Sequence, residues 1–114
     1  MNLAQPLGCL LDENLDSSLA EPLATYLEWR VTSVRAEGWL GLKNGPLLES
    51  MAERHLTVLV TGDRTLYRER QRQLTELGIG VVLVRDPAGA SMRTEQIGRV
   101  VVRVRGGELV EVAA

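Results

Sequence analysis

Three carboxylates, on Asp12, Glu13 and Asp63, stand where apolar runs break off. Leu7-Gly8-Cys9-Leu10-Leu11 leads straight into Asp12-Glu13-Asn14, and Leu56-Thr57-Val58-Leu59-Val60-Thr61 leads through Gly62 to Asp63. In an open α/β sheet, ligands gather outside the carboxyl ends of the strands. Carboxylate oxygens there suit a hard divalent cation, and magnesium usually takes one or two of them and completes its shell with water or phosphate. Such a cation activates water for phosphodiester hydrolysis. A structural reading competes with this one, because an aspartate after a strand is also the usual N-cap of the helix that follows.

Other residues bear on the same chemistry. A helix beginning at Pro46 would carry Glu49 in its first turn, facing the strand ends, and Glu37 in the preceding loop would be within reach. Each is otherwise an ordinary exposed charge. Arg64 and Arg68 lie one helical turn apart and suit backbone phosphates, with a solvated helix face as the plain alternative. Lys43 is the only lysine, so nearly every cation is an arginine; this is either a composition bias or a choice of guanidinium for bidentate phosphate contacts. His55, the only histidine, precedes a strand and so falls at the opposite end of the sheet, which favours a structural role. Trp29 and Trp39 read as core or loop anchors rather than stacking platforms.

The elements that must position these residues follow from hydrophobic spacing. Residues 7–11, 57–61 and 81–84 are almost continuously apolar, as strands covered on both faces are, and 30–34 is a shorter strand. Leu15, Leu19, Leu23, Tyr26 and Leu27 form one helical stripe with Asp16 or Ser17 as cap, and Pro22 demands a kink or a helix start nearby. Gly38, Gly41 and Gly45 punctuate a loop over 36–46, after which Asn44 is placed to cap a helix carrying Leu47, Leu48, Met51 and Ala52 inward. Residues 64–77 read as a helix stopped by Gly78, and 90–97 as a short helix. The tail alternates Val100, Val102 and Val104 with Val101, Arg103 and Arg105, then passes Gly106-Gly107 into Glu108-Leu109-Val110-Glu111-Val112, which predicts a β-hairpin. The expectation is a single α/β domain over 1–114, a mainly parallel sheet between helical layers with that hairpin at its edge.

Composition narrows the class. With 45% hydrophobic and 25% charged residues and a net charge of -2, the 114-residue chain has the balance of a soluble domain and no global positive field. Its single cysteine, Cys9, permits neither an intrachain disulfide nor a cysteine-based zinc site. No window is apolar enough to span a membrane and no secretory leader is apparent, so the expected location is cytoplasmic.

Taken together, Leu10-Leu11-Asp12-Glu13-Asn14-Leu15, Val34-Arg35-Ala36-Glu37-Gly38-Trp39-Leu40-Gly41 and Val58-Leu59-Val60-Thr61-Gly62-Asp63 resemble the LLDENLP, V-x-E-x-G-x-x-G and VLVTxD motifs of the PIN-like proteins called DUF5615. These proteins are related to the Mut7-C domains and the VapC toxins, and the resemblance covers most of the chain. It implies a PIN-like α/β/α sandwich and a ribonuclease dependent on Mg2+ or Mn2+, with RNA as substrate, often the toxin of a toxin–antitoxin pair. Asp12 and Asp63 would correspond to metal-binding aspartates, and Glu13 to the acidic residue beside the first. Two positions depart: the family's aspartate before the second helix is Asn44 here, and the second aspartate of its T-x-D-x-D-F motif is Thr65. Asn44 still offers an amide oxygen to a metal, but the site loses charge, so metal binding by Asp12, Asp63, Asn44 and Glu49 is weighed against a degenerate fold. In that alternative the protein binds itself as a homo-oligomer or binds an antitoxin-like partner. A phosphoryl-accepting receiver domain is a more distant alternative, since no lysine ends a fifth strand.

Overall fold

The computed structural model describes residues 7–112. Strand β1 (Gly8–Leu11) is followed by a 3-10 turn (Ser17–Leu19), helix α1 (Ala20–Leu27), strand β2 (Arg30–Ser33) and a single helical turn α2 (Val34–Glu37). Helix α3 (Asn44–Glu53), strand β3 (Val58–Thr61), helix α4 (Leu66–Leu77) and strand β4 (Gly80–Val84) come next. A 3-10 segment (Pro87–Arg93), helix α5 (Thr94–Val101) and strand β5 (Leu109–Val112) complete the described chain. The strands form one sheet in the order β2-β1-β3-β4-β5, every pair parallel.

Alternation along the strands builds a layer of helix on each face. Cys9, Leu11, Val58, Val60, Val82 and Val84 face one core with Leu19 and Leu23 of the α1 side and Ile97 and Val101 of α5. Leu10, Leu59 and Val81 face the other, against Leu47, Leu48 and Met51 of α3 and Leu66 and Leu74 of α4. The helices pair accordingly, α1 on α5 and α3 on α4. Because β1, β3 and β4 are buried on both faces, their sequences run apolar without a break. Burial also pushes the Cys9 thiol up to about 12, so it is a packing residue and not a nucleophile. Trp29 and Trp39 are half-buried against the two cores. Among the described residues, no helix is long and apolar enough to cross a membrane.

The expected C-terminal hairpin does not form. Residues 100–101 belong to α5, and β5 runs parallel to β4, pairing Val81 with Leu109 and Val84 with Val112. The physical reason is a helical stripe hidden within an apparent alternation: Ile97, Val100 and Val101 fall on one face of α5 and are buried. The Gly-Gly pair then serves a close crossing. Gly107 has φ +83°, its N–H donates to the Ile79 carbonyl at 2.9 Å, and a Cβ on Gly106 would lie 2.8 Å from the Gly78 backbone. Replacing Gly106 with Ala therefore forces backbone apart. We expect a loss of about 1–3 kcal/mol in urea unfolding, with β5 the element displaced.

Other boundaries shift modestly. Asp16 caps the 3-10 turn, accepting from Ser18 N at 3.0 Å, and α1 starts at Ala20, so Pro22 sits in its first turn, where it is tolerated. Helix α3 starts at Asn44, two residues before the expected start at Pro46, with Lys43 at the N-cap position and no side-chain capping bond.

Candidate functional site

The order β2-β1-β3-β4-β5 has its topological switch between β1 and β3, because the chain leaves β1 toward β2 and returns to β3 on the other side. Asp12 follows β1 and Asp63 follows β3, so both flank the crevice. Backbone pairing continues past the strand, with Asp12 N donating to the Val60 carbonyl at 2.9 Å. A pocket of about 310 Å³ opens here, and Asp12, Glu13, Asn14, Asn44 and Asp63 supply its polar wall. That volume is at the lower end of ordinary small-ligand clefts, about 300–1,000 Å³.

One buried hydroxyl ties the two strand ends together. Thr61, fully buried, donates from Oγ1 to Asp12 Oδ2 at 2.6 Å and accepts from Asp63 N at 3.0 Å. A second link runs beside it, from Gly62 N to Asn14 Oδ1 at 3.0 Å. Asp12 Oδ1 accepts from Glu13 N at 2.8 Å. Each oxygen of Asp12 therefore keeps a lone pair for a further partner. Asp63 Oδ1 accepts from both the backbone and the hydroxyl of Thr65 at 2.9 Å, leaving Oδ2 unengaged among the described residues. The capping reading is thus true in part of Asp63, which braces the turn into α4, and untrue of Asp12, which is held across the sheet.

The placement of the remaining candidates is mixed. Asn44, not needed as a cap, lines the pocket. Glu49 does not line it: the earlier start of α3 puts it in the second turn, exposed, accepting from Gln73 Nε2 at 3.3 Å. Glu37 is turned away and occupied, accepting from Thr32 Oγ1 at 2.7 Å and pairing with Arg54 at 3.5 Å and Arg30 at 3.9 Å. Arg64 and Arg68 are exposed beside the start of α4, outside the pocket lining. The arginine of α4 that reaches α3 is Arg70, at a break in helical geometry (φ -123°, ψ 22°), with its guanidinium against Gly45. His55 is exposed after α3, at the far end of the sheet, as expected.

Sequence reasoning assigned no role to the Thr61 hydroxyl or to Asn14. The signal was present, since Thr61 is the one polar residue closing an apolar strand, but its inward direction depends on register.

The donor set sets limits on what can be held. Asp12, Glu13 and Asp63 share the pocket wall without converging on one point: among the described residues, no group of three or more His, Cys, Asp or Glu side chains could hold a metal ion. Two carboxylates and an amide oxygen fit a cation that keeps much of its own water, as magnesium does, and not a closed protein cage. Thr61→Val removes the donor to Asp12 and the acceptor for Asp63 N while keeping side-chain shape. We expect manganese affinity to fall about 10–100-fold by calorimetry and to recover in Thr61→Ser.

Comparison with protein-family models, curated proteins and solved structures returns no match.

Proposed function

We propose that the chain is a PIN-like, divalent-cation-dependent endoribonuclease, with Asp12 and Asp63 holding Mg2+ or Mn2+ and Asn44 contributing its amide oxygen. What supports this reading is one arrangement: both aspartates stand at the switch point of a parallel sheet, joined through Thr61, in a pocket whose other polar groups are oxygen donors suited to a hard cation. The opening motif and the Thr61-Gly62-Asp63 strand end agree with it. When bound, the cation supplies Lewis acidity toward a phosphate and acidifies water. The protein's own groups do the rest. Thr61 holds Asp12 as an acceptor, Glu13 presents an exposed carboxylate able to orient or accept a proton from water, and Asn44 donates or accepts at the opposite wall. Arg64 and Arg68, exposed on the α4 side, would take RNA phosphates outside the pocket itself. The cellular role of such a nuclease would be that of a toxin restrained by an antitoxin protein, in the cytoplasm.

The experiment is manganese titration calorimetry with single-stranded RNA cleavage followed in parallel. Binding in the micromolar to millimolar range together with cleavage that EDTA stops supports the reading. No binding at millimolar manganese defeats it and favours the second reading, a catalytically degenerate PIN-like module that binds itself or another protein. The specific observation behind that second reading is the absence of a three-carboxylate group among the described residues.

A further inference from the structure

Asp12 and Glu13 are walls of two cavities. The second, of about 120 Å³, opens at the ends of β1 and β2, over Leu11 and Leu15, and is rimmed by Ser17, Ser33 and Arg35. We propose that this cavity is a second phosphate subsite, in which Arg35 holds a backbone phosphate of the polynucleotide whose neighbouring phosphate lies in the Asp12–Asp63 pocket. The inference rests on the polynucleotide reading given above and extends it to a direction of travel across the end of β1.

The state of the arginine carries the argument. Arg35 is exposed, and its guanidinium has no hydrogen bond or ion pair among the described residues, although two carboxylates line the same cavity. Neighbouring cations are spoken for: Glu37 pairs with both Arg30 and Arg54. A guanidinium left with its planar fork of donors is suited to bidentate capture of phosphate. Hydroxyl donors stand beside it. Ser33 accepts from Ala36 N at 3.0 Å and so keeps its own O–H to give, and the Ser17 hydroxyl has no partner among the described residues. The guanidinium opposes a second cation in this cavity, and the volume admits one small group rather than a whole cofactor. Because the two cavities share Asp12 and Glu13, a strand seated in both must pass over those residues.

The test compares two ligands by fluorescence-detected binding in EDTA, where no metal-dependent cleavage intervenes: the dinucleotide UpU and the same dinucleotide carrying phosphates at both ends, pUpUp. The acids at the site repel the more highly charged pUpUp more than UpU, so any gain for pUpUp is net of that repulsion, and its change in Arg35→Ala reports the guanidinium's share. In the unaltered protein pUpUp should bind about tenfold more tightly than UpU. Arg35→Ala should abolish that gain and Arg35→Lys should keep part of it. Arg103→Ala, after α5 at the other end of the sheet, should leave the gain intact. An undiminished gain in Arg35→Ala overturns the subsite, as does the absence of any gain, or of any binding at millimolar ligand, in the unaltered protein. Manganese calorimetry scores the metal reading separately: metal binding without the phosphate gain defeats only the subsite, and the gain without metal binding defeats only the nuclease.

Discussion

Asp12→Asn should reduce metal-dependent RNA cleavage by about a thousandfold or more while leaving the folded structure in place. The substitution is isosteric and the amide oxygen can still accept from Thr61, so the link between β1 and β3 persists, while the amide NH2 then faces Glu13 N and that one local bond is lost. What disappears is one of the two negative charges that flank the switch point. A cation at such a site supplies several kcal/mol of transition-state stabilisation, and about 4 kcal/mol corresponds to three orders of magnitude in rate. Initial rates on a fluorogenic RNA, with the urea midpoint measured alongside, separate loss of chemistry from loss of fold. Equal rates in the variant and the unaltered protein would leave Asp12 with only its structural bonds to Thr61 and Glu13 N.

The largest effect on stability is expected at the centre of the sheet. Leu59 is fully buried in β3, in register with Leu10 on one side and Val81 on the other, and belongs to the core beneath α3 and α4. Leu59→Ala removes buried carbon and leaves a cavity that three rigid strands cannot close. The expected cost is about 2–5 kcal/mol. Against a typical total of about 5–15 kcal/mol for a domain, this is a large share. Urea unfolding should show a lower midpoint with an unchanged slope. A shift under about 1 kcal/mol would mean that the α3–α4 layer collapses onto the gap.

How much of this was legible beforehand depended on the physics of each element. Strands β1, β3 and β4 were readable because two-sided burial leaves no polar position to confuse the pattern. The tail was misread because valines at 100, 101, 102 and 104 satisfy both a period of two and part of a helical stripe, and β-branched residues tilt the choice toward strand. Only the packing of Ile97 and Val101 against the first core decides for helix. Asp12 and Asp63 could be placed from strand ends alone, since topology carries every parallel strand's carboxyl end to one edge. Glu49 could not, because a shift of two residues in the helix start moves it out of the first turn. Arg35 lacked any periodic signal; its interest lies in a cavity assembled from the ends of two strands and the turn before α1.

The parallel arrangement of every described strand also bears on how the chain comes together as it is made. Of the five described strands β1 is made before the others, yet it lies inside the sheet, with β2 and β3 as its neighbours. No two of the described strands can zip as a local hairpin, so each pairing waits for a helix-length crossover, and such distant contacts are slow to close. Until Val58 and the residues after it emerge, one border of β1 has no partner, and β5, the last of the described strands in chain order, covers the outer border of fully buried β4. Nascent chains halted between β4 and β5 should therefore be the species most prone to self-association, through that uncovered border.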